Sequence, residues 1–284
     1  MNVVTRKRLP QTGPLRAGSF IVTLFGDVVA PRGGEVGIRD IICFCAAFGL
    51  SETLIRTAMS RLVAAGQVQG FRQGRRSYYA LTDAARAEYA QAAAMIYGDS
   101  CAPGWRFLCF PGGGAAEKIA ALSEPGFVAV SDLFALGPDC AKVPEDAIAF
   151  AAQVEGSRED LRPMVARLWP LDGLAEAYLE FLELSRQIAS LVDPDPAEAL
   201  ALRVLLVHAY RKIALSDPRL APETLPNDWP GHSAREAFAT LYLQLSPAAD
   251  SVIGAQFSAA SGPLAQFTPE TRARCDSLEK IAMT

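Results

Sequence analysis

Residues 38–81 constrain this chain more than any other stretch. Ile41, Ile42, Phe44 and Cys45 predict a helix over about 38–48, with Gly49 as the residue that closes it. After the tight Gly49-Leu50 turn, Ser51 is placed as the N-cap of another helix, whose apolar positions Leu54, Ile55, Ala58, Met59, Leu62 and Val63 form one stripe. The opposite face is Glu52, Thr53, Arg56, Thr57, Ser60 and Arg61. A hairpin then follows: Val68 to Phe71, a tip of Arg72-Gln73-Gly74-Arg75-Arg76, and Ser77 to Leu81. An earlier helix over Phe20 to Val28, with Ser19 as its N-cap, ends at Pro31, Gly33 and Gly34, and Thr82-Asp83 caps a later one reaching about Ile96. A helix, a tight turn, a short polar and cationic helix, and an arginine-tipped hairpin make the layout of a winged helix-turn-helix whose later helix enters the DNA major groove.

That layout assigns residues to roles. Thr53, Arg56, Thr57, Ser60 and Arg61 are candidates for base edges or the groove. Arg72, Gln73, Arg75, Arg76, Ser77 and Tyr78 on the wing are candidates for phosphates or the minor groove, where they supply affinity more than sequence information. A merely solvated basic face, RNA binding and a protein-interaction module are the alternatives. Charge favours nucleic acid: residues 1–95 hold 12 Lys or Arg against 6 Asp or Glu, while the remaining 189 residues hold 15 against 25 within a net charge of -4.

Other classes fall away on composition. With 284 residues, 50% hydrophobic and 20% charged, the chain reads as globular with two or three domains. No apolar run approaches the roughly 18 to 20 residues of a membrane span. Arg6, Lys7, Arg8 and Arg16 before Phe20 to Phe25 imitate a signal peptide, but Asp27 breaks the run and no A-x-A site follows, so a cytoplasmic protein is expected. The six cysteines (Cys43, Cys45, Cys101, Cys109, Cys140 and Cys275) contain no C-x-x-C pair and read as buried reduced thiols.

Beyond a linker at 99–104, Trp105 to Phe110 reads as a strand, Gly112 to Gly114 as a turn, Ala115 to Leu122 as a helix, and Phe127 to Val130 and Leu133 to Leu136 as short strands. Past Ser157 the chain turns helical over 161–168, 172–191, 197–214 and 234–245. The glycine run lacks the end of a P-loop, and no nucleophile elbow, zinc signature or paired-histidine motif is present. No catalytic residue, cofactor or metal is therefore assigned, and an enzymatic carboxyl-terminal part is the alternative. His208 reads first as a hydrogen-bonded structural histidine.

Three segments carry a family resemblance in the amino-terminal part: Pro31-Arg32-Gly33-Gly34-Glu35, Arg56 to Leu62 and Gly74 to Thr82. Further on, Arg203 to Lys212, Asp217-Pro218-Arg219-Leu220 and Leu225 to Gly231 continue it in the same order. Together they resemble the PaaX family of transcriptional repressors of phenylacetic acid degradation. The resemblance implies an α+β multidomain fold: a winged helix-turn-helix at 19–98, a small ferredoxin-like, Cas2-like middle domain at 103–156, and a mostly helical effector and dimerisation domain at 157–284. It also implies a homodimer on a double-stranded operator with inverted repeats, released by phenylacetyl-coenzyme A. Such an effector is a polyanion with an aromatic end, so its expected contacts are cations and aromatics: Trp169, Tyr178, Arg203, His208, Arg211, Lys212, Arg219, Trp229 and His232. A regulator of another pathway, sensing a different acyl-coenzyme A or no small effector, is the alternative. The nuclease chemistry of Cas2 itself needs an acid at the end of the first strand, and Arg106 to Phe110 offers none.

Overall fold

The computed structural model describes residues 9–10, 13–98, 104–122, 126–139, 141–155 and 159–283. Arg6, Lys7, Arg8, Cys101, Cys140 and the 99–103 part of the expected linker lie outside the described residues. The described chain is mixed α and β with several small antiparallel sheets, and it divides into two compact units. The first takes the chain up to Gly98 together with Phe181–Arg211 and everything from Arg235; the second takes the chain from there to Glu180 together with Lys212–Ala234.

In the first unit, α1 (Ala17–Leu24) continues through a π-helical turn (Phe25–Val29) and a 3-10 turn (Ala30–Arg32). Gly33 at φ 95° and Gly34 at φ 74° then end the run in backbone that favours glycine. Ser19 is not the N-cap: the helix already starts at Ala17, with Phe20 N donating to Arg16 O at 3.0 Å. The Ser19 hydroxyl instead accepts from Arg211. Next come β1 (Glu35–Gly37), α2 (Ile38–Ala46), α3 (Glu52–Ala64), β2 (Val68–Gln73), β3 (Arg76–Leu81) and α4 (Asp83–Tyr97). The strands pair antiparallel in the order β1-β3-β2, with Val36 opposite Tyr79. β1 escapes sequence reading because three residues cannot establish a period. Thr82 caps α4 by accepting from Ala85 N.

The α3 stripe is narrower than its spacing suggests: Ile55, Ala58 and Met59 are buried, whereas Leu54 and Val63, at its margins, are exposed. The cysteine expectation also needs correction. Cys45 faces the core, but Cys43 is exposed and Cys109 and Cys275 are half-buried, all four being free thiols. Residues two apart on a helix point about 200° from each other, so α2 can bury only one of its pair.

The second unit opens with β4 (Trp105–Cys109), α5 (Ala115–Ala120), β5 (Val128–Ala129), β6 (Phe134–Pro138) and β7 (Ile148–Ala152). They form an antiparallel sheet ordered β5-β6-β4-β7, with Leu108, Phe110, Ala115, Phe127 and Ala135 as its core. α6 (Leu161–Leu168) follows as expected. The long helices are α7 (Leu171–Ala189), α8 (Pro196–Ala214) and α9 (Gly231–Gln256); a hairpin of β8 (Ser258–Ala259) and β9 (Gly262–Pro263) and then α10 (Pro269–Ala282) complete the chain. α9 runs well past its expected end at 245 despite Pro247, because Ala249, Val252 and Ile253 bury its second half. These residues share one core with Phe20, Leu24, Ile41 and Met59, so the amino-terminal helices and strands pack on the late helices. Among the described residues no helix is long and apolar enough to cross a membrane.

Candidate nucleic-acid interface

α3 is anchored at its start by Ser51, whose Oγ accepts from Leu54 N at 3.3 Å. With Ile55, Ala58 and Met59 turned inward, the helix presents Thr53, Arg56, Thr57, Ser60 and Arg61 outward, all exposed. Arg56, Thr57, Ser60, Arg61 and Ala64 line a shallow depression of about 450 Å³ on this face. Arg56 Nε donates to Glu52 Oε1 at 2.8 Å, but both side chains are more than half exposed. A solvated pair of this kind contributes little and opens readily toward a phosphate.

The hairpin is tighter than its sequence suggests. Gln73 lies opposite Arg76 and Arg72 opposite Ser77, so Gly74 and Arg75 alone form the turn. Gly74 sits at φ 60°, as a two-residue hairpin turn requires of its first position. Arg72, Gln73, Arg75 and Arg76 are exposed and Ser77 is half-buried. Tyr78 is different: it is buried, stacked on Phe71 at 5.8 Å between ring centroids and placed opposite Gly37. Alternation along β3 turns Tyr78 and Ala80 toward the core, so Tyr78 braces the hairpin from behind. Sequence reasoning missed Arg39, exposed on α2, which lines one cleft with Arg56, Arg75 and Arg76.

The nine expected effector residues are divided between the two units, six in the second and three in the first. In the second unit Trp169 is buried, donates from Nε1 to Gly126 O at 3.1 Å, and lines an apolar cleft of about 520 Å³ with Phe127, Leu174 and the exposed Lys212. Tyr178 donates to the Asp217 carboxylate and meets Trp229 edge-on at 5.9 Å. Arg219 is half-buried, with its backbone N–H donating to Asp217, and His232 is exposed.

The other three belong to the first unit and are engaged within it. His208 Nδ1 shares a hydrogen bond with Thr23 Oγ1 at 2.8 Å, fitting the structural role read for it. Arg211 donates to Thr23 Oγ1 at 2.8 Å and to the hydroxyl and carbonyl of Ser19, and burial lowers its pKa. Arg203 is buried and pairs with Asp27 and Asp250. For Asp27, burial alone would raise the carboxyl pKa, but Arg203, Arg274, the Tyr242 hydroxyl and Arg32 outweigh it and hold the group below the usual carboxylate range. Among the described residues no three His, Cys, Asp or Glu side chains gather as a metal site would require.

The family model described as PaaX-like protein matches residues 16–85, and that of the PaaX-like protein C-terminal domain matches residues 169–255. The chain is 30% identical over 261 residues to the transcriptional repressor PaaX of Escherichia coli (strain K12), covering 83% of this chain and 82% of that one. A solved structure, the uncharacterized protein Rv0674 from Mycobacterium tuberculosis, is similar with a TM-score of 0.55 at 21% identity over 84% of this chain and 99% of that one, a likeness of fold. With 16–85 and 169–255 matched by the two family models and the curated relative aligned over most of its length, this protein belongs to the PaaX-like family.

Proposed function

We propose that this chain is a DNA-binding transcriptional repressor of phenylacetate catabolism genes. The observation that carries the reading is that Arg56 on α3 lines one cleft with Arg75 and Arg76 on the β2–β3 hairpin, with Arg61 and Arg72 also exposed on these two elements, next to a curated relative that is a transcriptional repressor. In this reading α2, α3 and the hairpin form a winged helix-turn-helix: α3 lies in the major groove with Thr53, Thr57 and Ser60 beside its arginines, and the hairpin follows the phosphate backbone. The antiparallel sheet of β4 to β7 is read as the ferredoxin-like middle element, and the protein as a homodimer that places two such modules on an inverted repeat.

Release from the operator is assigned to an acyl-coenzyme A, with phenylacetyl-coenzyme A as the first candidate. Such a ligand releases DNA only by binding the DNA-free form more tightly. The experiment is a gel-shift titration on the DNA upstream of the protein's own gene, with and without phenylacetyl-coenzyme A, using phenylacetate and coenzyme A as controls. Tight binding undone by the thioester alone supports both halves of the reading. Absence of any preference for that DNA sinks the repressor, while tight binding indifferent to all three compounds sinks only the effector.

A further inference from the structure

Arg211 is a half-buried cation whose bonds all go to neutral oxygens: the Thr23 hydroxyl and the hydroxyl and carbonyl of Ser19. Its Nη1 has no acceptor among the described residues, and no carboxylate among them lies within ion-pair distance of it. Arg32 and Arg203 in the same unit each have a carboxylate. A cation withdrawn from water is costly without an anion beside it, so Arg211 stands out.

This side chain lines a cavity of about 160 Å³ between α1, α4 and α8 of the first unit. The walls are apolar, with Val22, Ala92, Ala93, Ile96 and Val207 all buried or half-buried. Tyr89 closes one side, its ring 3.5 Å from where a Cβ on Gly26 would stand. Burial keeps the Tyr89 hydroxyl protonated, which makes it a second donor interacting with Arg211. The two acids of the lining are accounted for. Asp27 already accepts from Arg203, Tyr97 and Tyr242, and Glu88 is exposed, where water and salt screen it.

Size and charge then select a ligand. An apolar cavity of roughly 150 Å³ admits a benzene-sized body, whereas drug-sized molecules take clefts of roughly 300–1,000 Å³. One guanidinium with a hydroxyl near it suits one carboxylate, and the walls suit a ring or a short chain. We infer that this cavity binds an apolar monocarboxylate, a single ring or a chain of about six carbons ending in one carboxylate. The carboxylate takes Arg211 and the Tyr89 hydroxyl, and the apolar body leaves water against Ala92, Ala93 and Ile96. The assignment departs from the sequence expectation, which placed Arg211 on a coenzyme A effector. The cavity shares no residue with the exposed arginines of α3 and the hairpin, so it stands apart from the DNA-binding reading.

The test is calorimetric titration of the full chain with benzoate and with hexanoate. Both should bind at a single site and raise the thermal unfolding midpoint. Benzamide, which keeps the ring and loses the charge, should bind at least about tenfold more weakly than benzoate. Arg211→Gln should weaken benzoate by about tenfold or more, while Lys212→Gln, which removes the cation of the second-unit cleft, should change it by less than about twofold. Should Arg211→Gln fail to fold, Ala93→Phe fills the cavity and leaves the guanidinium in place, with the same loss expected. Benzoate binding that persists unchanged in these cavity variants, or that disappears in Lys212→Gln, overturns the inference. So does benzamide bound as tightly as benzoate, which leaves an apolar cavity only, and so does chloride displacing benzoate at equal concentration, which leaves a simple anion site. A parent protein that binds neither acid overturns it as well.

Discussion

Arg203 Nε lies 3.1 Å from Asp27 Oδ2, across 176 residues of chain, with neither side chain more than 1% exposed. Around this pair, Arg203 Nη1 and Arg32 Nη2 both donate to Asp250 Oδ1, at 2.7 and 2.8 Å. The Tyr97 and Tyr242 hydroxyls donate to Asp27 Oδ1. Arg274 donates to the carbonyls of Gly26 and Asp27. Five helices, α1 through its π-helical extension, α4, α8, α9 and α10, therefore meet at one sealed polar cluster. Its ions are costly to desolvate, so their stabilising value depends on every partner being present.

Removing one partner should consequently be severe. Asp27→Asn leaves Arg203 short of a counter-ion, and a loss of about 3–5 kcal/mol is expected in urea unfolding followed by circular dichroism. The double variant Asp27→Asn/Arg203→Met should be more stable than the sum of the two single losses. Strict additivity would show that the pair is not coupled.

Acid should reach the same cluster. Asp27 has its folded-state pKa held below the ordinary carboxylate value, so its contribution is complete above about pH 4 and is lost as pH falls below that toward the depressed value. The difference in urea midpoint between the parent and Asp27→Asn should be flat from neutral pH down to about 5 and shrink in stronger acid. A difference that instead shrank on raising the pH would contradict the assigned direction.

Thiol reactivity separates two cysteines on one helix. Cys43 is exposed, whereas burial pushes the Cys45 thiol up to about 12. With a disulfide reagent at neutral pH, Cys43→Ser should remove a fast-reacting thiol from the native protein, and Cys45→Ser should leave the fast phase unchanged.

On DNA, Arg75→Ala and Arg76→Ala should each weaken binding to every sequence and flatten the slope of log affinity against log salt by about 1. Arg56→Ala should in addition relax base preference, by about 1–3 kcal/mol at the position it reads. Filter binding over a series of potassium chloride concentrations, with operator and unrelated duplexes, distinguishes the two behaviours. Three variants indistinguishable from the parent would remove this surface from the interface.

The Ser51 cap offers a structural control. Ser51→Ala should cost about 1 kcal/mol through the lost bond to Leu54 N and fray the start of α3. Thermal unfolding checks the stability loss, and DNA binding should weaken by no more than the fraying accounts for.

What the sequence determined by itself is local. The Ser51 and Thr82 caps, the stop at Gly33 and Gly34, the bounds of α6 and α8 to within a residue, and the arginine-tipped hairpin were all legible. Each depends on residues a few positions apart, where capping and apolar periodicity act. The exposed face of α3 was legible for the same reason.

Only the tertiary structure decided which charges remain available to a partner. Asp27 reads in sequence as an interruption of an apolar run, and Arg203 as a cation for an effector, yet they neutralise each other in the core. Arg32 and Arg203 both fall in segments that carry the family resemblance, and both are committed to Asp250. No local pattern encodes a pairing over 176 residues, because its energy arises only when distant helices exclude water around both ions. The same holds for the cleft beneath Arg56, Arg75 and Arg76: its arginines are adjacent to readable motifs, but its floor is closed by Leu200, Val252 and Phe257, brought there by packing.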